Sequence, residues 1–163
     1  MRTLAALLAA LCLAPGTHAA PAPPPKPGKD DPKKVQGTWS LTRLESSGRT
    51  MPPETLARYK AEVTAEGWTF ALSGRKSPGF TYTLDPKSKP KGIRLTRSLP
   101  RGVGRGGRGG PGDTMTMYGI YDLQGDTLKL CYSLEYGNEK SRPADFTPGP
   151  RRVLMFLKRD KKP

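Results

Sequence analysis

From Val35 onward the chain is divided into short alternating apolar and polar runs, with glycine, proline, serine or aspartate punctuation about every ten residues. That spacing leaves little room for long helices or for βαβ units. It predicts eight strands, over residues 37–44, 61–65, 68–73, 79–84, 92–97, 114–123, 127–134 and 152–158. Pro52-Pro53 suits the first turn of a short helix over 52–59, placed after the first strand. Consecutive strands joined as hairpins form an antiparallel up-and-down meander, and eight of them close into a barrel that removes exposed edges. The expected fold class is therefore all-β, in a single domain over 35–160.

The sharpest local signal is the hairpin around Gln124-Gly125. Leu128, Leu130, Tyr132 and Leu134 share one face of its second strand, and Thr127, Lys129, Cys131 and Ser133 share the other. The leucine face is expected inside. A two-residue turn at Gln124-Gly125 pairs Tyr121 with Leu128, whereas a three-residue turn with a glycine bulge pairs Ile120 with Leu128, so the inward set of 114–123 stays open between them.

Gly37-Thr38-Trp39, on the first strand and ahead of the short helix, resembles the Gly-x-Trp opening of lipocalin-type barrels. Further matches are Gly119-Ile120-Tyr121, the run from Gly125 to Cys131, Arg142-Pro143, the Leu84-Asp85-Pro86 and Lys89-Pro90-Lys91 turns, and a last strand ending Leu157-Lys158-Arg159. Together they resemble an uncharacterised family of small secreted lipocalin-like domains abundant in planctomycete-type bacteria. The resemblance spans 35–159 and implies a lipocalin-like barrel without an established ligand or activity. By the same likeness Trp39 closes one end of the barrel against an arginine near the last strand, either Arg152 or Arg159.

The first residues carry a separate pattern. Arg2 precedes ten apolar residues from Leu4 to Leu13, followed by Pro15-Gly16 and the small residues Thr17 and Ala19, the layout of a cleavable signal peptide over 1–19. Ten residues reach only about 15 Å as a helix, half of a bilayer crossing. No membrane span is expected, and the destination is export: periplasm, cell envelope or medium. Residues 20–34 hold six prolines and four lysines without an aromatic or β-branched residue, and read as a disordered tether.

Removing the signal changes the available chemistry, because His18 is the only histidine and Cys12 is one of two cysteines. The remainder has no imidazole for a Ser-His-Asp or Cys-His pair, and no histidine-cysteine cluster for zinc or copper. The domain is accordingly expected to be non-enzymatic, with no catalytic residue, metal or cofactor. Cys131, left alone in an apolar strand, reads as a buried, inert thiol.

Two binding readings remain. Trp39, Trp68 and Phe156 join the strand aromatics; among these Tyr82, Tyr121, Tyr132 and Phe70 are the candidates for gripping a small apolar or amphipathic ligand inside the barrel. The alternative is an interaction module of the cell envelope. With 28 Lys+Arg against 14 Asp+Glu, a formal charge of +14, the chain attracts polyanions. Arg101, Arg105 and Arg108 in the glycine-arginine loop over 101–112, with the lysines of the tether, are the expected contacts to an acidic polymer. The loop resembles RNA-binding arginine-glycine repeats, but export argues against nucleic acid as partner.

Overall fold

The computed structural model describes residues 30–99 and 113–161; the segments expected to be a signal and most of a tether, and the stretch carrying Arg101, Arg105 and Arg108, lie outside the described residues. The fold is an antiparallel sheet curled on itself. Its long strands are β1 (Gly37–Ser46), β3 (Tyr59–Val63), β4 (Trp68–Leu72), β6 (Thr81–Asp85), β7 (Gly92–Ser98), β8 (Thr114–Gln124), β9 (Thr127–Ser133) and β10 (Arg152–Arg159); β2 (Arg49–Thr50) and β5 (Arg75–Lys76) are two-residue additions. Each long strand pairs with the next in the chain except β4 with β6, and β1 also pairs with β10. The remaining seam is a single antiparallel bridge. Trp68 N–H donates to Phe80 O at 2.7 Å and Phe80 N–H to Trp68 O at 2.8 Å, which links β4 to the residue before β6 and completes the circuit of eight.

The strand count therefore rises from eight to ten. Both extra strands follow Ser-Gly turns, Ser47-Gly48 (φ +50° and +79°) and Ser73-Gly74 (φ +50° and +81°), whose paired positive φ values match the twist of a tight hairpin. The helix after β1 is shorter than expected, α2 (Pro53–Leu56), because Tyr59 already enters β3. A second helix, α1 (Asp31–Lys34), occupies what reads in sequence as the end of the tether. It belongs to the domain, since Asp31 is only 4% exposed.

Neither hairpin register expected for β8 and β9 occurs. The turn sits at Gly125-Asp126, where Gly125 takes φ +55°, so Leu123 pairs with Leu128 and Tyr121 with Leu130. Glycine at the first central position admits the positive φ that a tight turn of this hand requires. The pairing sends Tyr121 and Leu123 inward with Leu128 and Leu130, as one cluster with Trp39, Leu41, Met155 and Leu157.

On the outer face Ile120, Cys131 and Leu154 form a second small cluster, packed against Phe146 and Phe156. Burial pushes the Cys131 thiol up to about 11, so it stays protonated and unreactive at neutral pH. Gly119, between these layers, faces Tyr132 across the ladder. A Cβ there meets Cys131 O at 2.5 Å and Tyr132 Cβ at 2.7 Å, atoms of a paired strand that cannot swing away. Gly119→Ala is expected to cost about 2 kcal/mol or more by urea denaturation, as overpacking of a closed ladder does.

Candidate functional site

The two ends of the barrel differ in kind. At one end Trp39, fully buried, donates its Nε1–H to Val35 O at 2.9 Å. The Arg159 guanidinium lies 4.2 Å from the centre of the Trp39 ring system. It donates to Gln36 O at 2.6 Å and to Lys34 O, and pairs with Asp126 at 3.2 Å. Gly37 explains the first half of Gly-x-Trp: its φ is +134°, and a Cβ there would meet the Arg159 guanidinium at 2.6 Å. Glycine lets the arginine reach the tryptophan. Of the two arginines weighed for this role, Arg152 is not the partner; it lies at the opposite end of β10 and reaches Thr147 O at 3.4 Å and Asp145 at 3.6 Å.

Beside this plug, Asp31 from α1 accepts from Tyr121 Oη at 2.8 Å and from Lys91 Nζ at 2.9 Å. Burial, then the hydrogen bond to the Asp31 carboxylate, raise the Tyr121 phenol well above its ordinary range, so it remains a neutral donor. Tyr121 therefore spends its hydroxyl on Asp31 at the closed end. Nothing in the local sequence marks Asp31, which sits among prolines and lysines.

A third anchor joins the edges of β1, β3 and β10. Asp160 accepts from Lys60 at 2.7 Å and from Ser40. Burial raises its carboxyl pKa, but the hydrogen bonds from Lys60 and Ser40 and the Lys60 charge outweigh that, leaving it below the ordinary 3.8. A depressed carboxyl contributes stability that is present above its unfolded value and lost as pH falls through the native one. Urea midpoints should thus drop below about pH 4. Asp160→Asn should lower stability at pH 7 while losing less than the parent between pH 5 and pH 3.

Toward the other end the inward residues Leu44, Met51, Phe80, Met115, Tyr132 and Leu134 pack on the core yet stay partly exposed. Leu44 and Met51 also line a depression of about 620 Å³ between the β1–β2 turn and α2. Tyr82 reaches across to give its hydroxyl to Thr64 O at 2.9 Å and sets its edge on Trp68, with ring centres 6.3 Å apart. Phe70 stacks tilted on the same tryptophan at 6.1 Å. Burial raises the Tyr132 phenol too. Of the three candidate tyrosines, two spend their hydroxyls on the protein, and no hydrogen bond among the described residues uses that of Tyr132.

Sequence reasoning passed over Arg97. It pairs with Met115 and alternates in step with Ile93 and Leu95, so its side chain is on the inner face. Its guanidinium lies 5.3 Å from the centre of the Phe80 ring, and Nε is shielded from solvent without a hydrogen-bond partner. Trp68 Nε1 is likewise shielded and unpartnered. The signal was present in the run Ile93-Arg94-Leu95-Thr96-Arg97, which puts an arginine on the apolar side of its strand.

Fold and site together define a small antiparallel up-and-down β-barrel, plugged at one end and lined by partly exposed apolar side chains toward the other. No family model, curated protein or solved structure matches the chain. Among the described residues no helix is long and apolar enough to cross a membrane.

Proposed function

We infer that this is an exported, non-enzymatic barrel that binds a small apolar or amphipathic molecule, and that it belongs with the small secreted lipocalin-like domains its motifs resemble. One observation carries the reading: the interior is asymmetric. At the Trp39 end every polar group described above has a partner, whereas away from it the inward side chains of Leu44, Met51, Phe80, Met115, Tyr132 and Leu134 stop short of full burial. Partly exposed apolar surface facing inward, rimmed by a few polar groups, is the usual composition of a ligand pocket. Export follows from the signal-like segment over 1–19.

The test is to purify the protein from its native host, extract it with organic solvent and identify the extract by mass spectrometry. A reproducible, stoichiometric amphipathic compound is the expected result. Repeated extraction of nothing, from protein that also fails to take up an apolar dye, overturns the reading.

The formal charge of +14 favours a second role, attachment to acidic envelope polymers. Such binding should weaken steeply with salt and fall when Arg101, Arg105 and Arg108 are replaced by Gln. An unchanged salt slope removes the arginines from that role.

A further inference from the structure

We propose that the outer face of β6, β7 and β8 is a second binding site, one that takes a linear oligosaccharide of uncharged sugars. It lies on the opposite side of the sheet from the barrel interior and stands whether or not the interior holds a ligand.

The site follows from strand register. Side chains on a strand alternate between faces, so with Tyr82, Leu84, Ile93, Leu95 and Met117 on the core, the residues between them point outward. Pairing sets these in rows. Thr83, Arg94 and Tyr118 lie opposite one another across the three strands, and Thr81, Thr96 and Thr116 form the next row two residues along. Directly opposed side chains stand about 5 Å apart. In the other direction the next outward position of β7 is Gly92, paired with Asp85.

That glycine makes the face concave. A Cβ on Gly92 would meet Arg142 Nη1 at 2.8 Å, so its absence admits the guanidinium over the strand. Arg142 pairs with Glu139 at 3.1 Å across the 3-10 turn Glu139–Ser141, and Gly137 N–H donates to Thr116 O at 2.8 Å, which fixes this segment to β8. The segment forms a wall beside the rows. Two depressions result, of about 210 and 400 Å³, and they share Thr83, Arg94 and Tyr118. Space of that order is what a small-molecule site needs.

Charge selects the ligand. On a chain of formal charge +14 these depressions balance, since Arg94 and Arg142 are matched in number by Asp85 and Glu139. A polyanion laid here would meet both carboxylates. The lining offers instead a mixture of guanidinium donors, carboxylate acceptors and four threonine hydroxyls that can do either. Arg94 belongs to none of the ion pairs among the described residues. No hydrogen bond among them uses the hydroxyls of Thr83 or Tyr118, although the neighbouring Thr81 and Thr96 hydroxyls are engaged. Sugar rings carry hydroxyls around the rim and C–H bonds on their faces, and Tyr118 presents an apolar body with a polar tip. Two joined depressions suit consecutive rings of a chain.

The experiment titrates the full chain with cellohexaose, maltohexaose, chitohexaose and a hexamer of galacturonic acid, by isothermal calorimetry at low and high salt. A neutral hexasaccharide should bind at millimolar concentration or below, with an affinity that salt does not change. Arg94→Gln should weaken it roughly 10- to 100-fold and Thr83→Val several-fold, both without a change in melting temperature, because both side chains are exposed. Arg75→Gln, the same loss of charge on β5, should leave binding unaltered. Failure of all three neutral hexasaccharides to bind overturns the proposal. Binding that Arg94→Gln leaves intact puts the sugar elsewhere and overturns the site. Preference for the galacturonic acid hexamer, falling steeply with salt and equally on Arg94→Gln and Arg75→Gln, overturns it in favour of attraction by net charge.

Discussion

Trp39→Ala is expected to remove about 3–5 kcal/mol of folding stability, the largest effect of any single truncation here. The side chain has no solvent exposure, and its loss opens a cavity that β1 and α1 cannot collapse into, because β1 is paired on both sides and α1 is tied down by the side-chain bonds of Asp31 and Arg159. Two further contacts go with it, the Nε1–H bond to Val35 O and the face on which Arg159 rests. Against a total of roughly 5–15 kcal/mol for a domain of this kind, the loss leaves a marginal fold. Urea denaturation should show a lower midpoint at unchanged slope. Trp39→Phe, which keeps a ring under Arg159 and loses only the nitrogen and some volume, should fall between. A loss under 1 kcal/mol for Trp39→Ala contradicts the plug.

Asp31→Ala comes second, at about 3 kcal/mol. The carboxylate is nearly inaccessible, and the Lys91 side chain it pairs with is 15% exposed, so removing the acid strands an ammonium and a phenol together. A buried ion pair adds little net stability over apolar residues of similar shape, but breaking one side of it is costly. That asymmetry provides the check. The double variant Asp31→Ala/Lys91→Met should be more stable than Asp31→Ala alone, with the difference read as a coupling energy in a double-mutant cycle. If the two substitutions simply add, Asp31 and Lys91 are not coupled. A chain shortened to begin at Val35 lacks Asp31 altogether and should show the same deficit.

Both effects sit at the closed end, yet only one was legible in sequence. Trp39 announced itself through Gly37 and through an alternation that any strand reading recovers, because side chains on a strand switch faces every residue. Asp31 did not. Proline and lysine neighbours lower the chance of burial by every local measure, and what buries it is Lys91 and Tyr121, both at least sixty positions away. The hairpin shows the same division at short range. That β8 and β9 pair was evident from Gly125 and the flanking leucines, but the register depends on which two residues form the turn, and neither expected alignment was found. The expected strands 37–44 and 68–73 stop at or before Ser47-Gly48 and Ser73-Gly74, and each of these turns leads into a further two-residue strand.

Away from the Trp39 plug, alternation along 92–97 already placed an arginine in line with Ile93 and Leu95. What alternation cannot tell is whether that arginine is answered by an acid elsewhere. The unpartnered nitrogens of Arg97 and Trp68 became visible only when β4, β6 and β7 lay side by side, since hydrogen bonding between strands is a property of the circuit and not of any one run.

The sequence by itself determined the strand periodicity, the order of the meander, the absence of histidine outside the signal-like segment and the positive charge, because each depends on residues counted along the chain. The tertiary structure alone decided which arginine meets Trp39, that Asp31 is buried, that Tyr82 and Tyr121 are already engaged, and that Arg97 faces inward with its Nε shielded and unpartnered among the described residues. Those are matters of pairing between segments far apart in the chain, and pairing is settled by how the whole sheet curls closed.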